Sequence, residues 1–228
     1  MDEGTLLVRA ESVSRVYGRD EAAVTVLDRV SFEVWAGDRI ALVGPSGSGK
    51  STLLHLVGAL DRPTSGTIVW PALGPSDRLR PGLVGVGFQG PSLLPALTVA
   101  ENVALPLLLM NRSQSEANWE ALRLIRRFHL LEVAAKLPEE VSGGQLQRAG
   151  LARALAGEPR LVLVDEPTGQ QDRATGRLVV SVLLEEVDRT GAALVVATHD
   201  RSVAEQLAVR WTLGDGRLLR EEGVASSF

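Results

Sequence analysis

The chain lacks several residue types and segments that define common protein classes. It has no cysteine in 228 residues, which excludes disulfides, thiolate metal sites and cysteine nucleophiles. It has no apolar run of about eighteen residues, and the longest candidate, Val103 to Met110, is interrupted by Pro106, so no membrane-spanning helix is predicted. The first four residues, Met-Asp-Glu-Gly, are acidic and lack the apolar core of a secretory signal. We therefore expect a cytoplasmic protein.

Basic residues are scarce relative to acidic ones. The chain has 24 Lys+Arg against 28 Asp+Glu, with a net charge of −4, and its arginines are scattered. Binding to nucleic acid needs a basic patch or stripe, so no nucleic-acid partner is predicted. Hydrophobic content of 45% and charged content of 23% are typical of a folded globular protein. The length predicts a single domain over residues 1–228.

The most informative feature that is present is a glycine-rich loop carrying one of only two lysines in the chain. Glycines allow successive backbone N–H groups to point at an anion, and a following helix adds the positive end of its dipole. In a loop of this pattern Lys50 reaches the β- and γ-phosphates of a nucleotide, and the Ser51 hydroxyl binds Mg²⁺. The residues predicted to bind the nucleotide here are Gly44, Pro45, Ser46, Gly47, Ser48, Gly49, Lys50, Ser51 and Thr52.

The flanking sequence favours a phosphate loop over the alternative, an ordinary loop rich in glycine and serine. Arg39 to Val43 has the pattern of a buried strand that leads into the loop, and Thr52 to Val57 has the pattern of a helix that leaves it. The sequence therefore predicts a strand, a phosphate loop and a helix in succession.

The rest of the chain alternates between strand and helix patterns, which predicts a parallel sheet covered by helices. Further strands are predicted at Leu6 to Val13, Val30 to Trp35, Thr67 to Trp70, Val84 to Phe88, Leu161 to Val164, Ala193 to Ala197 and Arg210 to Leu213. Further helices are predicted at Val99 to Leu109, Glu116 to Leu131, Gln145 to Ala156, Arg173 to Val187 and Ser202 to Leu207. The first two strands indicate a small antiparallel layer, and the helices between about residues 90 and 155 indicate a helical lobe inserted into the core.

Polar residues follow three of these strands, at the edge where α/β sheets bind their ligands. Asp165 would hold Mg²⁺ and Glu166 would polarise the water that attacks the γ-phosphate; the alternative is a solvated turn. His199 is placed to bond the γ-phosphate and sense its presence. Gln89 would ligate Mg²⁺ and couple the nucleotide to the helical lobe; the alternative is a polar strand cap.

Together these motifs resemble the ATP-binding subunit of ATP-binding-cassette (ABC) transporters, over nearly all of the chain from Leu6 to Leu219. The family's signature is matched by Val141 to Gln145, with the sequence Val-Ser-Gly-Gly-Gln. Leu60 to Gly66 and Leu97 to Leu107 resemble the branch that serves lipoprotein release and macrolide or peptide export. The resemblance implies a P-loop NTPase (RecA-like) α/β core with a mostly parallel sheet, an N-terminal antiparallel β subdomain and an inserted α-helical subdomain.

The resemblance also implies partners. Two copies are expected to assemble head to tail around two ATP molecules with Mg²⁺, each nucleotide facing Lys50 and Glu166 of one copy. The residues expected to act in trans from the other copy are Ser142, Gly143, Gly144, Gln145 and Asp172. Tyr17 matches the aromatic that stacks on adenine, with a simple packing role as the alternative. A separate membrane permease is expected to dock near Gln89 and the segment Leu93 to Leu109, which would place the chain on the inner face of the cell membrane.

Three residues depart from the family's pattern. Val141 replaces a leucine, Leu146 replaces a polar residue, and Gln171 replaces the leucine before Asp172, which leaves the packing of that loop open. The leading hypothesis is an ATPase that powers an exporter-type permease. The alternatives are an ABC ATPase that works mechanically on a membrane partner, as in cell division, and a weakly hydrolysing ATP-dependent scaffold. A chromosome-maintenance ATPase is disfavoured, because it would need a long coiled coil between Gln89 and the signature.

Overall fold

The structure is a computed structural model that describes residues 4–90 and 92–222. The chain forms two compact units. The first contains the described residues up to Leu79 and those from Ala193 onward, and the second runs from Arg80 to Ala192. The phosphate loop therefore belongs to the first unit, and the carboxylate pair and the signature belong to the second.

The first unit begins with an antiparallel sheet. Its strands β1 (Leu6–Tyr17), β2 (Val24–Trp35) and β4 (Ser65–Val69) lie in the order β2-β1-β4. Along β2, Phe32 and Val34 are buried whereas Ser31 is exposed, which is the pattern of a sheet with one face on a core. The predicted antiparallel layer is confirmed. Its first two strands are longer than predicted, because backbone pairing continues through residues that lack a clear alternation.

A mainly parallel sheet forms the rest of the first unit. β3 (Arg39–Val43) lies between β7 (Ala193–Ala197) and β8 (Val209–Gly214) and pairs with both in parallel, and β9 (Arg217–Glu222) joins β8 antiparallel. All five residues of β7 are buried, as in a central strand covered on both faces. The helices of this unit are α1 (Lys50–Val57) and the short α6 (Arg201–Ala204).

The second unit combines a parallel strand pair with a helical lobe. β5 (Val84–Gly87) and β6 (Leu161–Asp165) pair in parallel. The helices α2 (Val99–Leu109), α3 (Gln114–Arg127) and α4 (Gly143–Leu155) pack on one another, and α5 (Arg173–Thr190) follows β6. The predicted fold class, an α/β protein with parallel strands, an antiparallel N-terminal layer and a helical lobe, is confirmed.

Local side-chain hydrogen bonds determine where the lobe helices begin. The side chain of the residue before each of α2, α3 and α4 accepts a hydrogen bond from the backbone N–H three residues later. The side chain of that later residue in turn accepts a hydrogen bond from the backbone N–H of the first. These capping pairs are Thr98 with Glu101, Ser113 with Glu116, and Ser142 with Gln145. Reciprocal pairs of this kind satisfy two backbone donors that a helix start otherwise leaves unbonded. Because of them, α3 and α4 begin two residues earlier than predicted.

Other boundaries differ from the prediction for identifiable reasons. α3 ends at Arg127 rather than near Leu131, since His129 has a left-handed backbone (φ 53°) that stops the helix. β9 was not predicted, because its sequence does not alternate and its pairing with β8 comes from the backbone. Within the described ranges, no helix combines the length and apolar content needed to cross a bilayer.

Ion pairs connect α3 to α5 in the second unit. Glu186 on α5 has a side chain only 3% exposed and accepts hydrogen bonds from Arg123 of α3 at 2.7 and 2.9 Å and from Arg189 at 3.1 Å. Burial by itself raises the pKa of Glu186, but the hydrogen bonds and charges of the two arginines outweigh burial and lower the pKa below its ordinary value. The carboxylate is therefore ionised and bridges the two helices.

Replacing Glu186 with glutamine is expected to lower the free energy of unfolding by about 2–3 kcal/mol, because it removes the buried anion that Arg123 and Arg189 share. Of the described residues, Arg123 then keeps only Glu120 as an ion-pair partner, and Arg189 keeps only Glu158. Denaturation by urea at neutral pH measures this loss. The matched control is Glu185→Gln, the next residue along α5, whose ion pair with Arg127 is more exposed. The free energy of unfolding of Glu185→Gln should fall by less than about 1 kcal/mol. Equal losses in the two variants would contradict the assignment.

The same ion pairs predict how stability depends on pH. The pKa of Glu186 is lower in the folded state than the ordinary value of 4.5. Its stabilising contribution is therefore fully present above that ordinary value and is lost as the pH falls through the folded-state pKa. Acidification should consequently destabilise the parent protein more than Glu186→Gln, and the two urea midpoints should approach each other at low pH.

Candidate functional site

The phosphate loop connects β3 to α1 in the first unit. Gly49, directly before α1, has a left-handed backbone (φ 99°) that residues with a side chain rarely adopt. A Cβ atom on Gly44 would lie 2.2 Å from the carbonyl oxygen of Leu213 on β8. Glycine is therefore required at both positions for the chain to turn here. Between them, Pro45, Ser46 and Gly47 are exposed.

Lys50 is folded into this loop. Its ammonium group donates hydrogen bonds to the carbonyl oxygens of Gly44 (2.9 Å) and Pro45 (3.1 Å), and the residue is only 8% exposed. No carboxylate of the described residues bonds to it. Nearby, the buried hydroxyl of Ser48 has no hydrogen-bond partner in the described part of the chain. A buried ammonium with two neutral acceptors keeps one N–H donor and an uncompensated charge, which fits an anion such as a phosphate.

The start of α1 also fits a phosphate. Among residues 4–90 and 92–222, the other five α-helices have a side chain that caps the first turn, namely Thr98, Ser113, Ser142, Asp172 and Asp200. α1 has no side-chain cap and no acidic residue in its first turn, where Ser51 and Thr52 lie. Its backbone donors and dipole are therefore available to an external anion.

His199 lies at the same edge of the sheet as the phosphate loop. The parallel register pairs Leu42 of β3 with Ala197 of β7, and the backbone N–H of Thr198 donates to the carbonyl of Leu42 at 3.0 Å. The phosphate loop starts two residues beyond Leu42, and His199 lies two residues beyond Ala197. The structure thus brings His199, which is exposed, to the edge that carries the loop.

Tyr17 ends β1 and is held at its hydroxyl and at one face of its ring. The hydroxyl donates to Asp61 at 2.9 Å, and the guanidinium of Arg15 lies 4.3 Å from the ring centroid while also bonding Asp61. Burial by itself raises the pKa of Asp61, but the N–H of Arg62, the Tyr17 hydroxyl and Arg15 outweigh it and lower the pKa. The residue is 39% exposed, and an aromatic ring held in a fixed orientation is suited to stacking on a base.

In the second unit, one edge of the strand pair carries three of the predicted site residues. The last residue of β5, Gly87, pairs with Val164 of β6. Gln89 and Glu166 each lie two residues beyond this pair, and Asp165 lies one residue beyond it. Glu166 is buried, Asp165 is half-buried and Gln89 is exposed. The structure therefore brings these three side chains to one edge of the unit.

Glu166 has a strained backbone. Its φ of 47° is left-handed, which costs roughly 1 kcal/mol for a residue other than glycine. The carbonyl oxygen of Glu166 accepts hydrogen bonds from the side-chain amide of Gln147 on α4 at 2.8 Å and from the N–H of Gly169 at 3.1 Å. These two bonds hold the strained conformation.

The signature residues begin α4. The Ser142 hydroxyl accepts from the N–H of Gln145 at 3.3 Å, and the N–H of Ser142 donates to the side-chain oxygen of Gln145 at 2.9 Å. Ser142 and Gly143 are exposed, and Gly144 is partly exposed. The start of this helix, with its dipole and the Ser142 hydroxyl, is therefore presented at the surface of the second unit.

Asp172 caps α5. Its carboxylate accepts hydrogen bonds from the hydroxyl of Thr175 at 2.6 Å and from the backbone N–H groups of Ala174 and Thr175 at 2.9 and 3.1 Å. These bonds lower the pKa of Asp172, and the two from Thr175 have the largest effect. This capping role was not predicted, although an aspartate directly before a predicted helix is its ordinary signal.

Sequence reasoning also missed two amide side chains in the second unit. Gln147 is buried on α4 and bonds Glu166, and Gln171 bonds three residues of α4. Gln171 was noted only as a departure from the family's pattern. Gln147 had one detectable signal, its position four residues before the buried Leu151, which makes it a polar residue on the buried face of α4.

The side chains predicted to ligate Mg²⁺ are all oxygen donors. They are the Ser51 hydroxyl, the Gln89 amide and the Asp165 carboxylate, a set that suits a hard cation. In the described part of the chain, no group of three or more histidine, aspartate or glutamate side chains could hold a metal. Ser51 belongs to the first unit, whereas Gln89 and Asp165 belong to the second.

Comparisons of the sequence with known proteins identify its relatives. A family model described as ABC transporter matches residues 27–169. The chain is 39% identical over 224 residues to the lipoprotein-releasing system ATP-binding protein LolD of Legionella pneumophila (strain Paris), covering 95% of this chain and 99% of that protein. It is 41% identical over 223 residues to LolD of Gluconobacter oxydans (strain 621H), covering 95% and 96% of the two chains.

Solved structures give a matching result. The dimeric post-hydrolysis state of the ATP-binding cassette MJ0796, bound to ADP and Pi, has a TM-score of 0.88 and 35% identity, with 95% of this chain and 98% of that chain covered. The dimeric structure of MJ0796 described as a bacterial ABC transporter cassette has a TM-score of 0.89 and 34% identity, with the same coverage. The similarity therefore extends over the whole cassette.

Proposed function

The chain belongs to the ABC transporter family, and from this premise we propose how its residues bind and hydrolyse ATP and which membrane process they drive. Its activity is that of an ABC ATPase, which converts ATP and water to ADP and phosphate. The roles of individual residues, the geometry of the dimer and the membrane partner are the proposed parts.

The observation that carries the proposal is the buried Lys50 ammonium beside a helix start that lacks a side-chain cap. We propose that Lys50 binds the β- and γ-phosphates, together with the backbone N–H groups of residues 44–52. Tyr17 stacks on the adenine through the ring face that Arg15 leaves open. Ser51, Gln89 and Asp165 would hold Mg²⁺, which when bound neutralises negative charge on the phosphates of the nucleotide.

Glu166 is the proposed general base. A buried carboxylate at the end of a strand can accept a proton from the water that attacks the γ-phosphate. The hydrogen bonds to its carbonyl oxygen fix the backbone from which the side chain projects, so little reorganisation is needed during the reaction. His199 bonds the γ-phosphate from the edge that carries the phosphate loop.

We propose that two copies enclose two nucleotides head to tail. The exposed start of α4, with Ser142 and Gly143 at the surface, is suited to bind an anion from outside its own subunit. The γ-phosphate held by the Lys50 loop of one copy would contact Ser142, Gly144 and Gln145 of the other. ATP then stabilises the dimer, and hydrolysis releases it.

The substitution Ser142→Asp tests this arrangement without removing the helix cap. Aspartate caps a helix about as well as serine, so α4 should form normally. Its negative charge would face the γ-phosphate of the partner's nucleotide, and kcat should fall by at least about 100-fold while the affinity of the monomer for ATP stays within about twofold. Nucleotide titration and a phosphate-release assay measure the two quantities.

The matched control is Ser113→Asp, the same change at the cap of α3. It should leave both quantities unchanged. If Ser142→Asp hydrolyses ATP as fast as this control does, the signature does not contact nucleotide and the head-to-tail arrangement is wrong.

The proposed process is lipoprotein release through a separate membrane permease. It is supported by the similarity to LolD proteins over 95% of the chain. The permease would dock near Gln89 and Leu93 to Leu109, where Leu94 and Leu109 are 46% and 61% exposed. Reconstitution of the chain with its membrane partner in vesicles should give ATP-dependent release of an anchored lipoprotein. A partner that is bound but releases nothing would favour the mechanical alternative.

A further inference from the structure

Gln171 lies in the loop between β6 and α5, and its side chain bonds to the start of α4. Its amide nitrogen donates to the carbonyl oxygen of Gly144 and to the side-chain oxygen of Gln147, both at 2.9 Å. Its amide oxygen accepts from the guanidinium of Arg148 at 2.8 Å. Both amide hydrogens and the oxygen are therefore used, and all three partners lie within the first two turns of α4.

Gln147 extends this connection to the proposed general base. Its side-chain nitrogen donates to the carbonyl oxygen of Glu166 at 2.8 Å, and its oxygen accepts from Gln171 and from the N–H of Gln170 at 3.3 Å. The residue is 5% exposed, so these bonds are shielded from water. Two amides in series thus join the backbone of Glu166 to the signature end of α4.

The guanidinium of Arg148 is also bonded to the Gln171 side chain. Burial lowers the pKa of Arg148, and its Nε has no hydrogen-bond partner in the described part of the chain. The bond to Gln171 is therefore an important contact for a partly buried cation. A leucine at position 171 would remove it and would leave a buried donor unsatisfied.

The loop that carries Gln170 and Gln171 also lies in close contact with the backbone of the signature residue Gly144. A Cβ atom on Gly144 would lie 2.9 Å from the carbonyl oxygen of Gln170 and 3.2 Å from the side-chain oxygen of Gln171. The loop therefore rests directly on the signature backbone, and a displacement of one must move the other.

We propose that Gln171 is a positioning residue that keeps the signature start of α4 in a fixed position relative to the backbone of Glu166, through Gln147. The inference rests on the proposed function, because it concerns how one subunit presents Ser142 and Gly144 to its partner's nucleotide. It explains why a polar residue occupies a place where leucine was expected: the amide satisfies Gly144, Gln147 and Arg148 at once. One consequence is that formation of the dimer depends on a side chain that contacts no nucleotide.

Two substitutions separate positioning from stability. Gln171→Leu removes all three bonds, whereas Gln171→Glu keeps an acceptor for Arg148 and loses the donors to Gly144 and Gln147. Gln171→Leu should lower the melting temperature by about 3–6 °C, and Gln171→Glu should change it by less than about 2 °C. Both should weaken ATP-dependent dimerisation at least about tenfold in the Glu166→Gln background, with monomer affinity for ATP within about twofold of the parent.

Gln170→Leu is the matched control. It makes the same chemical change one residue earlier, at an exposed side chain whose oxygen lies against the signature residue Gly143 without a hydrogen bond to the described residues. The control therefore separates loss of the Gln171 hydrogen bonds from a change of packing against the signature. Its dimerisation should stay within about twofold of the parent value. A loss of dimerisation equal to that of Gln171→Leu would show that any change in this loop suffices, and would overturn the role of Gln171.

Hydrogen exchange in the monomer keeps the inference testable apart from the proposed function. The amides of Gln145 and Leu146, which bond to Ser142, should exchange at least about tenfold faster in both Gln171 variants than in Gln170→Leu. Unchanged exchange overturns the inference even if Glu166→Gln forms a normal ATP-bound dimer. Faster exchange with normal dimerisation also overturns it. A third outcome separates the two proposals. If Glu166→Gln alone forms no dimer while both Gln171 variants exchange faster, the proposed function is wrong, but the coupling within the subunit is supported.

Discussion

Replacing Glu166 with glutamine is expected to lower kcat for ATP hydrolysis by about 10²–10⁴-fold, the range that general-base catalysis contributes. Glutamine has nearly the same shape but cannot accept the proton of the attacking water. The backbone bonds from Gln147 and Gly169 to residue 166 are kept, so the half-site should be preserved. Nucleotide would then bind without being cleaved, and an ATP-bound dimer should accumulate. Phosphate release and sedimentation in saturating Mg·ATP measure the two effects.

A suitable control for this substitution is Glu139→Gln, which changes an exposed carboxylate in the same unit. It should hydrolyse ATP at the parent rate and show no trapped dimer. Hydrolysis by Glu166→Gln at the rate of this control would remove Glu166 from the role of general base. A slow variant that stays monomeric would keep that role but contradict the head-to-tail dimer.

Replacing Lys50 with alanine is expected to weaken ATP binding by at least about 100-fold, since it removes a buried ammonium that forms charge-assisted bonds with phosphate. At ATP concentrations 100-fold above its Kd, binding stabilises the parent protein by about 2.7 kcal/mol, which should raise its melting temperature by about 5–10 °C. Lys50→Ala should show no such rise. Differential scanning fluorimetry with and without Mg·ATP provides the measurement.

The chain supplies its own control for this experiment. Lys136 is the only other lysine and is exposed in the second unit. Lys136→Ala removes the same charge elsewhere, so ATP should still raise its melting temperature by the parent amount. If ATP stabilises Lys50→Ala as much as Lys136→Ala, the loop does not bind phosphate through its lysine.

The sequence was most informative about sites whose residues lie close together along the chain. Glycine spacing, the lysine and the flanking strand and helix patterns together predict the phosphate loop, because all these parts lie within residues 39–57. The central strands β3 and β7 and the helix α2 were also predicted with correct bounds. Short apolar runs bounded by polar or glycine residues mark the two strands, and the capping pair Thr98 and Glu101 marks the start of α2. Pairing of a strand such as β9, by contrast, depends on the neighbour it meets.

The amino-acid sequence by itself determined which residues are available for phosphate, metal and proton chemistry, because those roles depend on functional groups at short spacing. Only the tertiary structure decided which of them are held together. It placed His199 beside the phosphate loop through the register of β3 and β7, and it gave Glu166 a left-handed backbone held by Gln147. It also turned Gln171 from an unexplained departure into a bonded link with α4. Hydrogen bonds between residues about twenty positions apart depend on distance and orientation in three dimensions, and no local pattern encodes these.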